Sequence, residues 1–236
     1  MVKYLFSFFL LFSPLSAGWT DMTATVPAGA PESGAQACCR LFQEMNLEGT
    51  VDYQAFRQAY AGYCKIEHQR DILTLIDFTK PSTEKRLYVF DMAARRLLYT
   101  SVVAHGRNSG ENYATSFSNR EGSYKSSLGF YRTAFTYQGK NGYSLVLDGL
   151  ERGINDRARS RAIVMHGADY ADPSVIRNGG RLGRSQGCPA VPRGLARPII
   201  DAIKGGSILY IHANAPEYLS QSTVLEQEDR TGTFLQ

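Results

Sequence analysis

Six short apolar runs between residues 72 and 213 constrain this chain more than any other feature. They read ILTLIDF (72–78), RLYVFDM (86–92), RLLYTSVVA (96–104), YSLVLDGL (143–150), RAIVMHG (161–167) and SILYIHA (207–213). Each is of strand length, rich in β-branched and aromatic residues, and bounded by turn formers such as PSTEK and MAARR. Fourteen tyrosines, twelve phenylalanines and 22 glycines suit such a turn-rich, strand-dominated domain. Between 105 and 142 lies a Gly/Ser/Asn-rich stretch, broken by the short apolar unit SSLGFYRTAFTY (126–137). One helix is expected near the end, over GLARPIIDAIK (194–204), with Pro198 in its first turn and Gly205–Gly206 as its stop. The expected fold is therefore mainly β, a sandwich or partly open barrel over residues 67–215.

Upstream the period is helical. AQACCRLFQEM and DYQAFRQAYAGYC flank the turn NLEGT and predict a helical hairpin over 35–66, with Ala55, Phe56, Ala59, Tyr60 and Tyr63 on one face. The first residues, MVKYLFSFFLLFSPLSAGWT, read as a signal peptide over 1–17: one early lysine, an apolar run from Tyr4 to Phe12 too short to span a bilayer, then small residues. The expected location is outside the cytoplasm, in a periplasm or cell-wall space, with no transmembrane segment once the signal is removed. Residues 18–34 are expected to form a flexible leader, and 216–236 a polar, exposed tail. A net charge of +4, with no Lys/Arg run interleaved with aromatics, excludes a nucleic-acid binder. Composition does not fix the oligomeric state. An oxidising compartment would let Cys64 pair with Cys38 or Cys39, and that arithmetic permits Cys188 to stay free.

Cys188 lies in RSQGCPAV (184–191), where it can be a disulfide half, a buried apolar residue, a metal ligand or a nucleophile. His68, His105, His166 and His212 are scattered singly, so no metal site is expected. The flanking Arg184, Ser185, Gln186 and Gly187 do not form an apolar run. A Gly-Cys-Pro turn would present the thiol together with the amides of Gly187 and Cys188, an arrangement able to hold an oxyanion. A thiol of ordinary pKa needs a base. His166 ends a strand, is followed by Gly167, and is joined to Cys188 by a loop containing Gly179, Gly180 and Gly183. His105 opens a second His-Gly pair and is expected to line the same cleft.

The pair HG (166–167) followed by SQGC (185–188) resembles the signature of the L,D-transpeptidase catalytic domain. SSLGFY (126–131) is similar to an element preceding that signature, and FSNREGSYKSSLGFY and GLERGINDRARSRAIVMHGADY resemble the murein L,D-transpeptidase subfamily. The resemblance covers about residues 70–213 and implies a cysteine acyltransferase acting on peptidoglycan stem peptides without metal or organic cofactor. Cys188 would attack the carbonyl of the third stem residue and expel D-alanine, with His166 as base. Ser185 would orient the imidazole or line the site, and Gly187 and Cys188 would hold the oxyanion. An amine acceptor then gives a 3→3 cross-link, and water gives a carboxypeptidase or endopeptidase; the alternative of another class is a non-catalytic cell-wall binder. Tyr131 and Tyr124 are expected at the donor pocket, and Gly167, Gln186 and Arg184 near the substrate. The other arginines around the motif, Arg152, Arg157, Arg159, Arg161 and Arg181, could meet the carboxylates of the stem peptide, but most read as a solvated basic face. Gln186 is a departure, because many members carry histidine there and glutamine holds no proton at neutral pH.

Overall fold

The computed structural model describes residues 33–226. The signal peptide over 1–17, nearly all of the leader and the last ten residues of the tail lie outside the described residues. Helix α1 (Gly34–Glu44) starts in a capping box, in which the Ser33 hydroxyl accepts from the Gln36 N–H and the Gln36 side chain returns a bond to the Ser33 N–H. Helix α2 (Tyr53–Lys65) is capped by Asp52, which accepts from the Ala55 N–H. Leu41 and Phe42 of α1 and Ala55, Phe56 and Ala59 of α2 are buried, as the helical period requires. Phe56 meets Phe42 edge-on at 5.4 Å.

The disulfide expected across this hairpin is not formed: Cys39 and Cys64 are exposed thiols, whereas Cys38 is buried in the core. Cys39 sits by the Tyr53 hydroxyl and Cys64 by that of Tyr60. Tyr53 opens α2 and Cys64 lies eleven residues on, about 16 Å along the axis, so the helix register parts the two exposed thiols.

The strands are β1 (Ile72–Asp77), β2 (Leu87–Asp91), β3 (Arg96–Ser101), β4 (Gly129–Gly139), β5 (Gly142–Gly149), β6 (Val164–Gly167), β7 (Ala190–Val191) and β8 (Ile208–His212). They form one sheet in the order β3-β2-β1-β8-β4-β5-β6-β7, antiparallel except for β1 with β8 and β6 with β7. Ala104, just past β3, bridges to Ala190 of β7, so the two edges approach and the sheet becomes a nearly closed barrel. Of the two expected architectures, it is the barrel that forms.

Phe90 of β2 packs edge-on against Phe56 at 5.3 Å, and Phe130 of β4 stacks on Tyr210 of β8 at 4.3 Å. A Cβ on Gly62 would lie 2.0 Å from the Phe130 ring, so α2 touches the sheet where its side chain vanishes. Helix α4 (Arg193–Ile203) covers the other face, burying Ile199, Ile200 and Ile203. Strand β1 is buried along its whole length because both helices pack on it.

Three expectations change. Strand β4, expected only as an apolar unit inside a loop, is the longest strand and pairs with both β5 and β8. Pro198 lies inside α4 rather than in its first turn; Pro198 and Gly194, whose carbonyl loses its bond, face solvent. The tail contains helix α5 (Pro216–Gln221), which buries Tyr218. Buried Glu151 draws it in, accepting from the Phe130 N–H and from the Tyr218 and Ser222 hydroxyls. A short helix, α3 (Pro173–Gly179), occupies the loop between β6 and β7. Among the described residues no helix is long and apolar enough to cross a membrane.

Candidate active site

Strand β6 carries His166, paired across β5 with Ser144 and across β7 with Ala190. Cys188 lies two residues before Ala190, which brings it alongside Val164 and His166. The Val164 N–H points at the Cys188 Sγ at 3.5 Å, and the thiol faces the Ala162 carbonyl at 3.6 Å. Gly187 has φ of +125°, and a Cβ there would sit 2.9 Å from the Lys125 carbonyl oxygen. The turn before the cysteine therefore requires glycine.

That turn is tied from behind. The Ser126 hydroxyl donates to the Gly187 carbonyl at 3.1 Å and accepts from the Gly106 N–H at 3.0 Å. The Ser185 N–H donates to the His105 carbonyl at 2.9 Å, and the Arg107 N–H to the Ser185 carbonyl at 2.8 Å.

Cys188 and His166 line one cleft of about 580 Å³, with Ser185, Gln186, Arg184, Tyr124, Arg161 and Tyr170 among its other walls. Burial pushes the Cys188 thiol above its ordinary pKa, against a smaller lowering by the Val164 N–H and Arg161. Burial also lowers His166 below its ordinary 6.5, opposed by its bond to Gly167 and helped by the Arg193 charge. Both shifts favour uncharged forms, a thiol and a neutral imidazole lining the same cleft. The His166 Nδ1 is 3.1 Å from the Gly167 carbonyl oxygen. A carbonyl only accepts, so Nδ1 carries the proton in the neutral ring and Nε2 keeps its lone pair.

Other expected residues are placed differently. The Ser185 hydroxyl does not orient the imidazole; it donates to the Cys188 carbonyl at 2.6 Å and accepts from the Gly187 N–H at 3.0 Å. Its position two residues before Gly187 favours this local bond. The Gly187 amide is thereby taken up by Ser185, so it does not serve the expected pair of oxyanion donors. His105 is wholly buried and absent from the cleft: its Nδ1 accepts from Arg86 at 2.8 Å and its Nε2 meets the Gly110 carbonyl at 3.2 Å. Burial, then the Arg86 charge, lowers it to about 4. Tyr131 is also core rather than pocket, with its hydroxyl bonded to the Ser127 carbonyl at 3.0 Å.

Gly167 lies in the strand against α4, where a Cβ would meet that of Ala196 at 2.9 Å. Gln186 is exposed on the cleft wall, and Arg184 is held there by Glu111 and by the carbonyls of Arg107 and Gly110.

Sequence reasoning set Arg161 among the solvated arginines and passed over Tyr170. Arg161 is a half-buried clamp: Nη1 donates to the Ser118 carbonyl and Ser127 Oγ, and Nη2 to Ser123 Oγ and the Lys125 carbonyl. It thereby fixes the loop against which Gly187 packs. Tyr170 lies in the cleft with its hydroxyl pushed up to about 12, by burial first and the neighbouring Cys188 second. No periodicity distinguished Arg161 from the arginines around it; Tyr170 sits four residues after His166 and had only that proximity to mark it.

A profile of the family described as L,D-transpeptidase catalytic domain matches residues 47–212. Among curated proteins no relative matches the chain. Among solved structures, an L,D-transpeptidase from Mycobacterium smegmatis is similar at 10% identity and a TM-score of 0.40, over 61% of this chain and 59% of that one. An L,D-transpeptidase from Stackebrandtia nassauensis is similar at 13% identity and a TM-score of 0.35, over 78% of this chain and 79% of the other. A third, from Xylanimonas cellulosilytica, has 13% identity and a TM-score of 0.34, over 78% and 94%. The chain thus spans less than two thirds of the Mycobacterium smegmatis protein.

Proposed function

Because this chain belongs to the L,D-transpeptidase catalytic-domain family, we propose that it is an exported cysteine acyltransferase that forms 3→3 cross-links in peptidoglycan. The observation that carries the reading is the meeting of Cys188 and His166 in one cleft, with the imidazole tautomer set by the Gly167 carbonyl.

In this reading the His166 Nε2 removes the thiol proton as Sγ attacks the carbonyl of the third stem residue. A C–S bond forms, the bond to D-alanine breaks, and the imidazolium returns the proton to the leaving amine. A neighbouring stem amine then attacks the thioester, losing a proton to His166 as the thiol leaves. General-base transfer suits a pair whose environment favours neutral forms, since no resting ion pair is needed. The Cys188 N–H meets the developing oxyanion, while Ser185 and Ser126 hold the turn that aims it. Gln186 supplies a neutral amide donor at the rim. The signal-like N-terminal sequence supports action outside the cytoplasm, where peptidoglycan lies.

The test is purified protein incubated with a disaccharide-tetrapeptide and read by mass spectrometry. Cross-linked dimers with released D-alanine are expected, and both should vanish in Cys188→Ala. Tripeptide without dimers would make the enzyme a hydrolase, and no D-alanine release would overturn the reading.

A further inference from the structure

Strand β4 contains an irregularity that ordinary folding does not require. Tyr131 and Thr133 are buried, and the next residues at period two are Phe135 and Tyr137, so a regular strand would put all four on one face. Instead the register with β5 slips: Thr133 pairs with Leu147 but Thr136 pairs with Leu145. The bulge adds one residue and turns Phe135 and Tyr137 to the opposite face. They are left 59% and 40% exposed, two of the few large apolar side chains so exposed among the described residues.

That face is also the catalytic one. Tyr137 pairs with Ser144, and Ser144 pairs with His166, so the three side chains form one cross-strand row. Alongside it, Val146 pairs with Val164, whose N–H meets the Cys188 thiol. Buried Ser144 and Val146 of β5 lie between the aromatics and the reacting pair. The Arg159 guanidinium lies 5.7 Å from the Phe135 ring centroid and is held by both carboxylate oxygens of Asp148. The tip of the same hairpin, Lys140 and Asn141, lines the cleft.

We infer that Phe135 and Tyr137, with Arg159 beside them, form a docking platform for the amino-sugar rings of the glycan strand that carries the stem peptide. The C–H face of a pyranose packs on an aromatic ring, and the fixed guanidinium supplies hydrogen bonds at the ring's edge. Length matches as well. Two interstrand steps separate Tyr137 from His166, roughly 10 Å, and the three stem residues between sugar and scissile carbonyl span roughly 10 Å when extended. A sugar on the platform therefore leaves the third residue at the thiol. The inference rests on the peptidoglycan reading and assigns the sugar's place within it.

The experiment compares kcat/KM for a disaccharide-tetrapeptide with that for the same tetrapeptide lacking sugar. The wild-type chain should prefer the sugar-bearing substrate by roughly tenfold, about one good stacking contact. In the double variant Phe135→Ser, Tyr137→Ser that ratio should fall close to one, while Phe135→Tyr, Tyr137→Phe should retain it. A wild-type ratio of one, or a ratio unmoved in the double serine variant, overturns the inference. Should the wild type turn over neither substrate, the proposed reaction fails and binding alone decides. A soluble N-acetylglucosamine tetramer, followed by chemical-shift titration, should then bind the wild type and bind the serine variant at least tenfold more weakly; absence of binding overturns the platform.

Discussion

Replacing Ser185 by alanine separates two roles for a serine beside a nucleophile. Its hydroxyl bridges the turn, accepting from the Gly187 N–H at 3.0 Å and donating to the Cys188 carbonyl at 2.6 Å. Each such bond contributes about 0.5–1.5 kcal/mol net, and Gly187 is buried, so its orphaned amide carries the larger cost. A loss of about 2 kcal/mol follows, which for a chain of this size lowers Tm by roughly 4–8 °C. The nucleophile is held by the same bridge, and a shift of about 1 Å in a reacting atom can slow a reaction by up to 100-fold. The assay is acylation of Cys188 by a carbapenem, followed as a mass adduct across pH, with a melting curve for each variant. Ser185→Ala should acylate about 10- to 100-fold more slowly, with its pH midpoint where the wild type has it. Ser185→Thr, which keeps a hydroxyl, should recover most of both losses. An unchanged Tm together with a displaced pH midpoint would mean that the hydroxyl acts on His166 rather than on the turn, and the reasoning would fail.

Four further expectations follow from the same geometry. His166 must be neutral to accept the thiol proton and burial lowers its pKa; the acid limb of the acylation rate should therefore lie below 6.5, and a midpoint above 7 would refute this. Gly187→Ala places a side chain at φ +125° and 2.9 Å from the Lys125 carbonyl, so it should lose about 1–3 kcal/mol in a urea titration and at least tenfold in acylation. Arg161→Met removes four hydrogen bonds that tie residues 118–127; hydrogen exchange in that loop should quicken before the barrel strands change. His105 is held neutral with a pKa of about 4, below its unfolded value of about 6.5, so the unfolded chain gains the proton first as pH falls. Its contribution is complete above 6.5 and is lost on acidification towards 4, a loss of about 3 kcal/mol, and His105→Asn should flatten that part of the stability–pH curve.

The sequence was legible where one local rule acted alone. The edges of α1 and α2 follow Ser33 and Asp52, whose side chains settle the first turns without distant help. The strand runs before and after 105–142 are recognisable because each is apolar at strand length. Strand β4 escaped because its apolar unit sits between flanks rich in turn residues and reads as part of one long loop, while its partners β5 and β8 are set by pairing that no local signal marks. Helix α5 escaped for another reason: Tyr218 and Ser222 are drawn in by a carboxylate buried some seventy residues earlier, and no local period encodes that. The two histidines show the same limit at the site. His105 and His166 each end an apolar run and precede glycine, so their local sequence does not tell a wall from a base. Arg86 makes the difference, since its guanidinium occupies the His105 Nδ1, whereas the His166 Nδ1 meets the carbonyl beside it. A partner nineteen residues away turns one histidine into scaffold, and its absence leaves the other a nitrogen for chemistry.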